Sequence, residues 1–329
     1  MKAVYIKEFG GAENLEIREL PDPPKPEGDE VLVRVKAAGL NRADLLQRRG
    51  HYPPPAGYSP NIPGLEFAGE VVETGSNVAD LKAGERIFGI TAGEAQAEFL
   101  KIDHRLLTKI PNNLTFTEAA AIPEAFITAH DAVFTQGGIK GEETLLVHAV
   151  GSGVGLAALQ LAEASGHRVI GTSRTEDKLE RCREFGLDDG IVVAREPNFA
   201  EDILAKTGGR GIDVILDLVG GAYFEQNLKS LAMKGRLLLV GMTAGSSAQF
   251  NLGIALSKRL TLIGTVLRAR STEEKANATR AFAISVVPLL AAGSVKPNID
   301  KVFDFHDVAA AHEHLESNES FGKVVLEFS

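Results

Sequence analysis

The sequence predicts an α/β protein that combines a six-stranded, doubly wound parallel sheet with a second, β-rich domain. Three features lead to this prediction. A strand, a glycine-rich turn, a helix and a second strand follow one another within residues 144–171, and four further apolar runs alternate with helical stretches up to residue 264. The first third of the chain instead alternates polar and apolar residues between Gly and Pro breaks, which is typical of antiparallel strands.

The glycine-rich turn has the sequence GSGVG at residues 151–155. It follows an apolar strand at 144–148 and begins a helix at 154–164 that is apolar nearly all round, as expected of a helix packed between sheet and protein. The second strand is predicted at 167–171. Such a unit directs a helix N-terminus at the C-terminal edge of the sheet, where a pyrophosphate binds well.

The register of this turn departs from the strict dinucleotide pattern G-x-G-x-x-G, which would place glycines at Val150 and Ser152. By itself the turn is therefore a weak signal. A Gly-rich connection in an unrelated α/β protein stays an alternative.

The end of the second strand bears on the choice of cofactor. A site for NAD needs an acidic residue about 20 positions after the glycines. The chain instead reads Ser173-Arg174-Thr175, with Lys178 one turn further on. These hydroxyls and cations suit a 2′-phosphate, so the sequence favours NADPH. In the alternative interpretation Ser173 or Thr175 caps the next helix, with Glu176 completing a capping box from Ser173; capping and phosphate binding are compatible.

Composition limits the class of protein. A chain of 329 residues with 44% apolar residues can bury a large core and is expected to form two domains. The net charge of −9 argues against nucleic acid or an anionic membrane as the main partner. Without an 18-residue apolar run or an N-terminal signal, we expect a cytoplasmic protein. The single Cys182 excludes an internal disulfide and a four-cysteine zinc lobe.

The N-terminal third is predicted to be β-rich and partly closed on itself. A proline-rich link at 20–26 is too stiff for a helix and separates the first strands from the next. Alternation then predicts strands at 30–36, 67–73, 86–90 and 97–102.

A domain border is predicted after residue 122. Residues 117–122 read as a helix that Pro123 breaks, and a helix at 125–134 leads towards the glycine-rich turn. The dinucleotide-binding domain is therefore placed at 123–265, and the β-rich substrate domain at 1–122 and 266–329. The sheet of the former takes further strands at 190–193, 213–217, 236–241 and 260–264; the latter takes C-terminal helices at 272–292 and 307–317 and strands at 301–305 and 322–328.

Several motifs together resemble the zinc-free, zeta-crystallin-like quinone oxidoreductases of the medium-chain dehydrogenase/reductase superfamily, over nearly the whole chain. They are AGLNRAD at 38–44, PGLEFAG at 63–69, VVETG at 71–75, HAVGSGVG at 148–155 and GKVVL at 322–326. In that family the turn is commonly A-x-x-G-x-x-G, which Ala149 and Gly155 match with Ser152 between them. The resemblance implies a Rossmann domain joined to a partly barrel-like, GroES-like substrate domain.

The zinc-dependent branch of the superfamily differs from this chain at two ligand positions. Where that branch has its first ligand Cys this chain has Asn41, and where it has His-Glu this chain has Leu65-Glu66. Asn and Leu supply neither the thiolate nor the imidazole of a catalytic zinc site. The resemblance therefore implies hydride transfer without a metal, from NADPH to an acceptor that is already electrophilic, such as a quinone or an activated alkene.

The resemblance also implies a set of catalytic residues. Asn41 and Asp44 are expected beside the nicotinamide and the acceptor, and Tyr52 is expected in the loop over the pocket, where it donates a hydrogen bond to a quinone oxygen. Three alternatives stay open: Asn41 satisfies a turn, Asp44 pairs with Arg48 at i,i+4, and Tyr52 only packs.

Cofactor contacts carry over from the family position by position. Thr128 is expected near the nicotinamide ribose or carboxamide, and Arg268 and Arg270 meet phosphate or pocket anions unless they form a solvated corner. Val193 occupies the place where some relatives put a Tyr against the adenosine phosphate, which weakens the case for NADPH. The full expected set is Asn41, Thr128, Gly151, Ser152, Gly153, Val154, Ser173, Arg174, Lys178, Asp217, Gly220, Gly241, Met242, Leu267, Arg268, Arg270 and Lys323.

Two other functions remain open at this point: an NADPH-dependent reductase of the double bond of enones, enals or enoyl thioesters, and a non-enzymatic, crystallin-like role. The apolar run at 259–264 should form the sixth strand at the sheet edge, and a bare apolar edge invites pairing with a second copy. We therefore expect a homodimer, unless the helix from Thr272 covers that edge.

Overall fold

The computed structural model describes residues 1–193 and 196–328. The chain divides into two compact units. One is formed by Met1–Ile127 together with Leu267–Ser329, and the other by Thr128–Val266. The first unit therefore takes its residues from both ends of the chain.

The N-terminal part of the first unit consists mainly of strands. They are β1 (Lys2–Ile6), β2 (Leu15–Glu19), β3 (Glu30–Leu40), β4 (Glu66–Thr74), β5 (Arg86–Ile90), β6 (Phe99–Asp103) and β7 (Leu107–Lys109), with helices α1 (Arg42–Arg48), α2 (Phe116–Ala120) and α3 (Pro123–His130). A capping box between Thr115 and Glu118 begins α2. The helix predicted at 125–134 is an α-helix only as far as His130. Residues Asp131–Gln136 continue it as a π-helix.

The second unit is the doubly wound domain. It contains β8 (Leu145–Val147), α4 (Gly153–Ala164), β9 (Val169–Ser173), α5 (Glu176–Arg183), β10 (Asp189–Val192), α6 (Ala200–Lys206), β11 (Ile212–Asp217), α7 (Phe224–Ser230), β12 (Leu231–Leu239), α8 (Leu252–Lys258) and β13 (Thr261–Gly264). Its strands are all parallel in the order β10-β9-β8-β11-β12-β13. This is the predicted six-stranded Rossmann arrangement. The order in which successive strands are added to the sheet reverses between β8 and β11, while all strands stay parallel.

The C-terminal part returns to the first unit. It forms α9 (Thr272–Ser285), α10 (Val287–Ala292), β14 (Ile299–Asp304), α11 (Val308–Ser317) and β15 (Lys323–Glu327). β15 pairs antiparallel with β3 and parallel with β14. The sheet runs β14-β15-β3-β4-β5-β7 with β6 also on β3, so the fold class predicted from the sequence is confirmed for the described residues.

Two predicted elements differ from the structure for local reasons. The single helix predicted at 272–292 divides at Val286, because Pro288 has no N–H for a continuing helix and stands in the first turn of α10. The strand predicted at 167–171 begins at Val169, because the N–H of His167 still bonds to the carbonyl of Ala162 and closes α4.

Candidate functional site

The turn between β8 and α4 is closed by a serine and requires a glycine. Ser152 is the N-cap of α4, and its Oγ accepts a hydrogen bond of 3.1 Å from the N–H of Gly155. A Cβ at Gly155 would lie 2.5 Å from the carbonyl oxygen of Ala149, so only glycine allows this approach of helix to turn. Ala149 itself has a φ of +48°. Among the described residues no acceptor binds the first-turn N–H groups of Gly153 and Val154, so they are open to a ligand, as at any helix N-terminus.

A buried series of side-chain hydrogen bonds lies beneath this turn. His148 Nδ1 lies 2.8 Å from Thr172 Oγ1, and His148 Nε2 lies 2.6 Å from Asn227 Oδ1. Burial lowers the pKa of His148, so the imidazole is neutral, and its Nε2–H donates to the amide oxygen of Asn227. Asn227 Nδ2 then donates to Asp217 Oδ2 at 3.0 Å. This series ties β8, β9, β11 and α7 together under the turn.

Asp217 shapes the loop after β11. Its Oδ1 accepts from the N–H groups of Val219 at 2.8 Å and Gly220 at 2.9 Å, and the side chain is fully buried. A Cβ at Gly220 would lie 2.9 Å from Cα of Met242, and one at Gly241 would lie 2.6 Å from the carbonyl of Leu218. The loops after β11 and β12 are therefore pressed together. The carboxylate of Asp217 is hydrogen-bonded to protein groups through both oxygens. A direct contact of Asp217 with the cofactor stays a prediction.

The polar residues after β9 do not form the capping box that the sequence allowed. The N-cap of α5 is Thr175, which makes no side-chain capping bond, and Ser173 Oγ accepts only a long bond of 3.4 Å from the N–H of Thr175. Ser173 is buried and Arg174 is exposed. The capping box between Ser173 and Glu176 is therefore wrong. Thr175 does stand at the N-cap of α5, as the same alternative allowed, but without a side-chain capping bond.

Thr128 provides a test of whether the second unit fits a cofactor. Its Oγ1 is buried, yet it has no hydrogen-bond partner among the described residues. A buried hydroxyl without a partner is costly, and native structures usually satisfy such groups with a ligand, water or protein atom. A dinucleotide has hydrogen-bonding groups for both this hydroxyl and the N-terminus of α4, so the residues present fit one.

In the first unit, Asn41 and Asp44 form the beginning of α1. Asp44 Oδ2 accepts from the N–H of Asn41 at 2.8 Å, which completes a capping box, and Oδ1 accepts from the N–H of Gly64 at 2.9 Å. Burial raises the pKa of Asp44 to about 6. The alternative pair with Arg48 is wrong, since Arg48 instead donates to Glu316 at 2.7 Å and to the carbonyl of Gly10 at 3.1 Å. Because Asp44 is fully buried, these contacts give it a positioning role.

The side chain of Asn41 is held between two charged groups. Its Nδ2 donates to Glu66 Oε1 at 2.8 Å, and its Oδ1 accepts from Lys323 Nζ at 2.7 Å. Lys323 Nζ also lies 2.5 Å from Glu66 Oε1 and 2.7 Å from the carbonyl oxygen of Leu40. Side-chain exposure is 6% for Lys323 and zero for Glu66. This buried ion pair, rather than a simple turn, fixes the amide of Asn41.

Glu124 joins the same group from the first turn of α3. Its backbone N–H donates to Glu66 Oε2 at 2.8 Å. Burial, followed by the charge of Glu66, raises the pKa of the Glu124 carboxyl to about 8. The side chain is partly exposed and has no hydrogen bond or ion pair with the part of the chain that the structure describes. At neutral pH this carboxyl is therefore protonated.

Arg268 holds the loop that contains Tyr52. Its Nε donates to the carbonyl of Ala92 at 2.7 Å, its Nη1 donates to the carbonyl of Tyr52 at 2.9 Å, and its Nη2 donates to Gln47 Oε1. The guanidinium carbon lies 4.9 Å from the centre of the Tyr52 ring. Arg268 is 4% exposed, so the solvated-corner alternative is wrong for this residue. Each of the three guanidinium nitrogens of Arg268 donates to a protein acceptor. These bonds favour a role for Arg268 in positioning Tyr52 rather than in binding phosphate.

The remaining expected residues differ in how far they are exposed to solvent. Leu267 is buried, Arg270 is partly exposed and Met242 is 66% exposed.

Within residues 1–193 and 196–328 the structure shows no cluster of three or more His, Cys, Asp or Glu suited to a metal ion. No helix in these ranges is long and apolar enough to cross a bilayer.

Sequence reasoning missed several members of these groups. Glu66 was noticed only as a neighbour of a lost ligand position, and Glu124, Gln47 and Asn227 were not considered. One signal existed for Glu124: it is a lone acid after Pro123 within the apolar stretch AAAIPEAFI at 119–127. An acid in such a setting is either paired or has a raised pKa.

Both units of the chain are similar to known protein families. The family described as "Alcohol dehydrogenase GroES-like domain" matches residues 27–130, and "Zinc-binding dehydrogenase" matches residues 153–283. The quinone oxidoreductase of Homo sapiens is 31% identical over 99% of this chain and 97% of its own length. The crystal structure of Escherichia coli quinone oxidoreductase complexed with NADPH has a TM-score of 0.88 and 31% identity, covering 99% of this chain and 100% of that chain.

A further solved structure, the CurK enoyl reductase, is 25% identical with a TM-score of 0.88, covering 100% of this chain and 99% of that chain. Likeness to the quinone oxidoreductases thus extends over both units at more than 30% identity. The chain therefore belongs to the quinone oxidoreductase branch of the medium-chain dehydrogenase/reductase superfamily.

Proposed function

We propose that this protein reduces quinones with NADPH and does so without a metal. The observation that carries the proposal is the state of Asn41. Its amide occupies the position of a zinc ligand in the metal-dependent branch, and it is tied to Glu66 and Lys323 at 2.8 and 2.7 Å. A residue held this way is a fixed hydrogen-bonding group rather than a vacant ligand. Full-length similarity to quinone oxidoreductases supports the same conclusion.

Residues of the second unit account for the cofactor. The N–H groups at the start of α4, with Gly151 and Ser152, hold the pyrophosphate. Ser173, Arg174 and Lys178 hold the 2′-phosphate, which an acidic residue after β9 would repel. The hydroxyl of Thr128 satisfies its missing hydrogen bond on the nicotinamide half. When bound, NADPH supplies the hydride. Further contacts are assigned to Gly220, Gly241, Met242, Leu267 and Arg270. The predicted contact of Lys323 is not retained, because its three N–H groups are bonded to Leu40, Asn41 and Glu66.

Residues of the first unit account for the acceptor. Tyr52 donates a hydrogen bond to a quinone oxygen as negative charge develops there, and Arg268 holds the tyrosine loop for this purpose. Burial raises the pKa of Tyr52, so the phenol keeps its proton at neutral pH. Asn41 positions the reacting partners, and the buried Asp44 holds Asn41. We assign the cofactor to the domain predicted at 123–265 and the acceptor to the domain predicted at 1–122 and 266–329. These borders differ from those of the two compact units, which are Thr128–Val266 and Met1–Ile127 with Leu267–Ser329.

The homodimer through β13 is part of the proposal. β13 pairs with β12 and lies at the end of the strand order described for this sheet. Leu262 on β13 is 41% exposed, and Leu252 and Leu256 on the preceding α8 are 72% and 81% exposed. A second copy would extend the sheet across a two-fold axis and cover these leucines.

The second candidate function is reduction of an activated carbon–carbon double bond. Similarity to an enoyl reductase supports it. A non-enzymatic, crystallin-like role differs from both because it predicts no turnover.

The experiment that separates these functions is oxidation of NADPH followed with a panel of quinones, enals and enoyl thioesters. We expect the highest kcat/KM with quinones, since their oxygens accept charge without a strongly placed acid. Preference for an enal or thioester would replace the quinone proposal by the double-bond reductase. Absence of turnover with the whole panel, despite NADPH binding, would favour the non-enzymatic role.

A further inference from the structure

Gln47, in the last turn of α1, has a buried side-chain amide whose two N–H donors and whose oxygen are all bonded to protein groups. Its Nε2 donates to the carbonyl oxygens of Pro60 at 3.0 Å and Ile62 at 3.3 Å, and its Oε1 accepts from Arg268 Nη2. The residue is 1% exposed. Because carbonyl groups only accept and a guanidinium only donates, these partners fix the orientation of the amide. Of the common side chains of this length, only glutamine makes all three bonds.

The three bonds of Gln47 reach both ends of one loop, residues 49–62, which we call the Tyr52 loop. The two carbonyl groups that accept from its amide nitrogen stand at the far end. At the near end Arg268, which is bonded to the amide oxygen, also donates from Nη1 to the carbonyl of Tyr52 at 2.9 Å. Between these ends, residues 53–57 make no hydrogen bond to another part of the described chain. The position of Tyr52 therefore depends on bonds at the ends of the loop.

The helix that carries Gln47 is itself fixed by the next residue, Arg48. This arginine is 1% exposed, and its Nε donates to the carbonyl of Gly10 at 3.1 Å while its Nη2 donates to Glu316 on α11 at 2.7 Å. The first turn of α1 is closed by the capping box described above. Helix α1 is thus held at both ends, and it gives Gln47 a fixed support from which to hold the loop.

We propose that Gln47 is a positioning residue for Tyr52, whose phenol it holds at the acceptor by way of Arg268. This inference rests on the proposed function and adds to it a residue that does not touch the acceptor. Loss of the amide releases the far end of the loop directly. It also leaves Arg268 Nη2 buried without its acceptor, although Arg268 Nε keeps its bond of 2.7 Å to the carbonyl of Ala92.

The test is a double-mutant cycle between Gln47→Met and Tyr52→Phe. Methionine resembles glutamine in length and removes all three bonds. Gln47→Met should lower kcat/KM for a small quinone about tenfold, because the Tyr52 hydroxyl is then misplaced. Adding Tyr52→Phe to Gln47→Met should cost less than about twofold more, against up to about tenfold in the unmodified protein. A side chain that only stabilises the fold would leave the two losses independent.

Two control variants separate positioning from a general loss of hydrogen bonds. Asn113→Leu removes a side-chain bond of 3.0 Å to the carbonyl of Leu290 in the same unit. In that background Tyr52→Phe should keep its full effect. Gln47→Glu keeps the acceptor for Arg268 and loses the amide donors, so most of the effect of Tyr52→Phe should also be preserved there. Urea unfolding of each variant identifies the conditions in which all of them are folded.

Hydrogen–deuterium exchange tests the same connection without an acceptor. Gln47→Met should speed exchange of the backbone N–H groups in the Tyr52 loop, because the loop then opens locally more often. Asn113→Leu should leave exchange in that loop unchanged.

The role of Gln47 is overturned if Tyr52→Phe costs as much in the Gln47→Met protein as in the unmodified one. It is also overturned if Gln47→Met leaves exchange in the Tyr52 loop unchanged. Either result leaves quinone reduction standing when the unmodified enzyme turns quinones over. An enzyme that reduces enals or enoyl thioesters but no quinone overturns the proposed acceptor alone, and the same cycle measured with that acceptor then decides the role of Gln47. An enzyme that binds NADPH and reduces no acceptor overturns both proposals.

Discussion

The buried ion pair between Lys323 and Glu66 should contribute far more to stability than an exposed pair in the same unit. We consider Lys323→Met, which keeps the length of the side chain and removes its charge. Lys323 Nζ lies 2.5 Å from Glu66, and the two side chains are 6% and 0% exposed. The substitution leaves a buried carboxylate without its cation and also leaves the carbonyl of Leu40 and Oδ1 of Asn41 without their donor.

The expected cost is about 3–5 kcal/mol of unfolding free energy, the range for breaking a buried pair by removal of one partner. The matched control is Lys36→Met. Lys36 lies 4.0 Å from Glu70, with exposures of 34% and 38%, and a pair of this kind contributes about 0–1 kcal/mol. The double variant Glu66→Gln/Lys323→Met should recover at least about 2 kcal/mol of the loss, because no uncompensated charge is then buried.

The assay is urea unfolding followed by far-ultraviolet circular dichroism, with the denaturant dependence compared among variants to confirm that the same transition is measured. Equal destabilisation by Lys323→Met and Lys36→Met would refute the reasoning. So would a double variant that is less stable than Lys323→Met alone, because the cost would then not come from the charge left on Glu66.

Four further predictions concern cofactor, metal, assembly and acceptor. Arg174→Ala should weaken NADPH binding by about 1.5–3 kcal/mol, the range for a hydrogen bond to a charged group, and leave NADH binding nearly unchanged; calorimetry showing equal losses would contradict this. Purified protein should contain no stoichiometric zinc by metal analysis and keep its activity in chelators, since the ligand positions hold Asn41 and Leu65. Sedimentation equilibrium should give a dimer of the 35.1 kDa chain, and a concentration-independent monomer would exclude pairing through β13. Tyr52→Phe should lower kcat/KM for a small quinone about tenfold or less, the scale of one neutral hydrogen bond, whereas a loss of several thousandfold would identify Tyr52 as an essential acid and favour the double-bond reductase.

The sequence by itself determined the fold class and the order of the elements. The signals concerned are local, because the period of the apolar residues distinguishes strands from helices and a glycine such as Gly155 marks a turn that no larger residue allows. The same local signals were less accurate at element ends. Val169 rather than His167 begins β9, because a single hydrogen bond back to α4 decides the boundary.

Part of the candidate site was also determined by the sequence. Asn41 and Ser152 stand in the motifs at 38–44 and 148–155, and Tyr52 follows the first of these in the chain, so all three could be named as candidates without coordinates. Their partners could not. Whether Asp44 pairs with Arg48 or caps α1 depends on which geometry the turn adopts, and both patterns fit the same residues.

Only the tertiary structure decided the electrostatics of the first unit. Glu66 and Lys323 are 257 residues apart in the chain, and Tyr52 and Arg268 are 216 apart, so no local pattern links them. The β15 strand brings Lys323 beside β3, and there the ion pair forms. A carboxyl's pKa depends on burial and on charges from distant segments, neither of which is encoded in its sequence neighbours. For this reason the apolar stretch around Glu124 signals an unusual acid, but the charges of Glu66 and Asp44 that help to raise its pKa are found only in the folded protein.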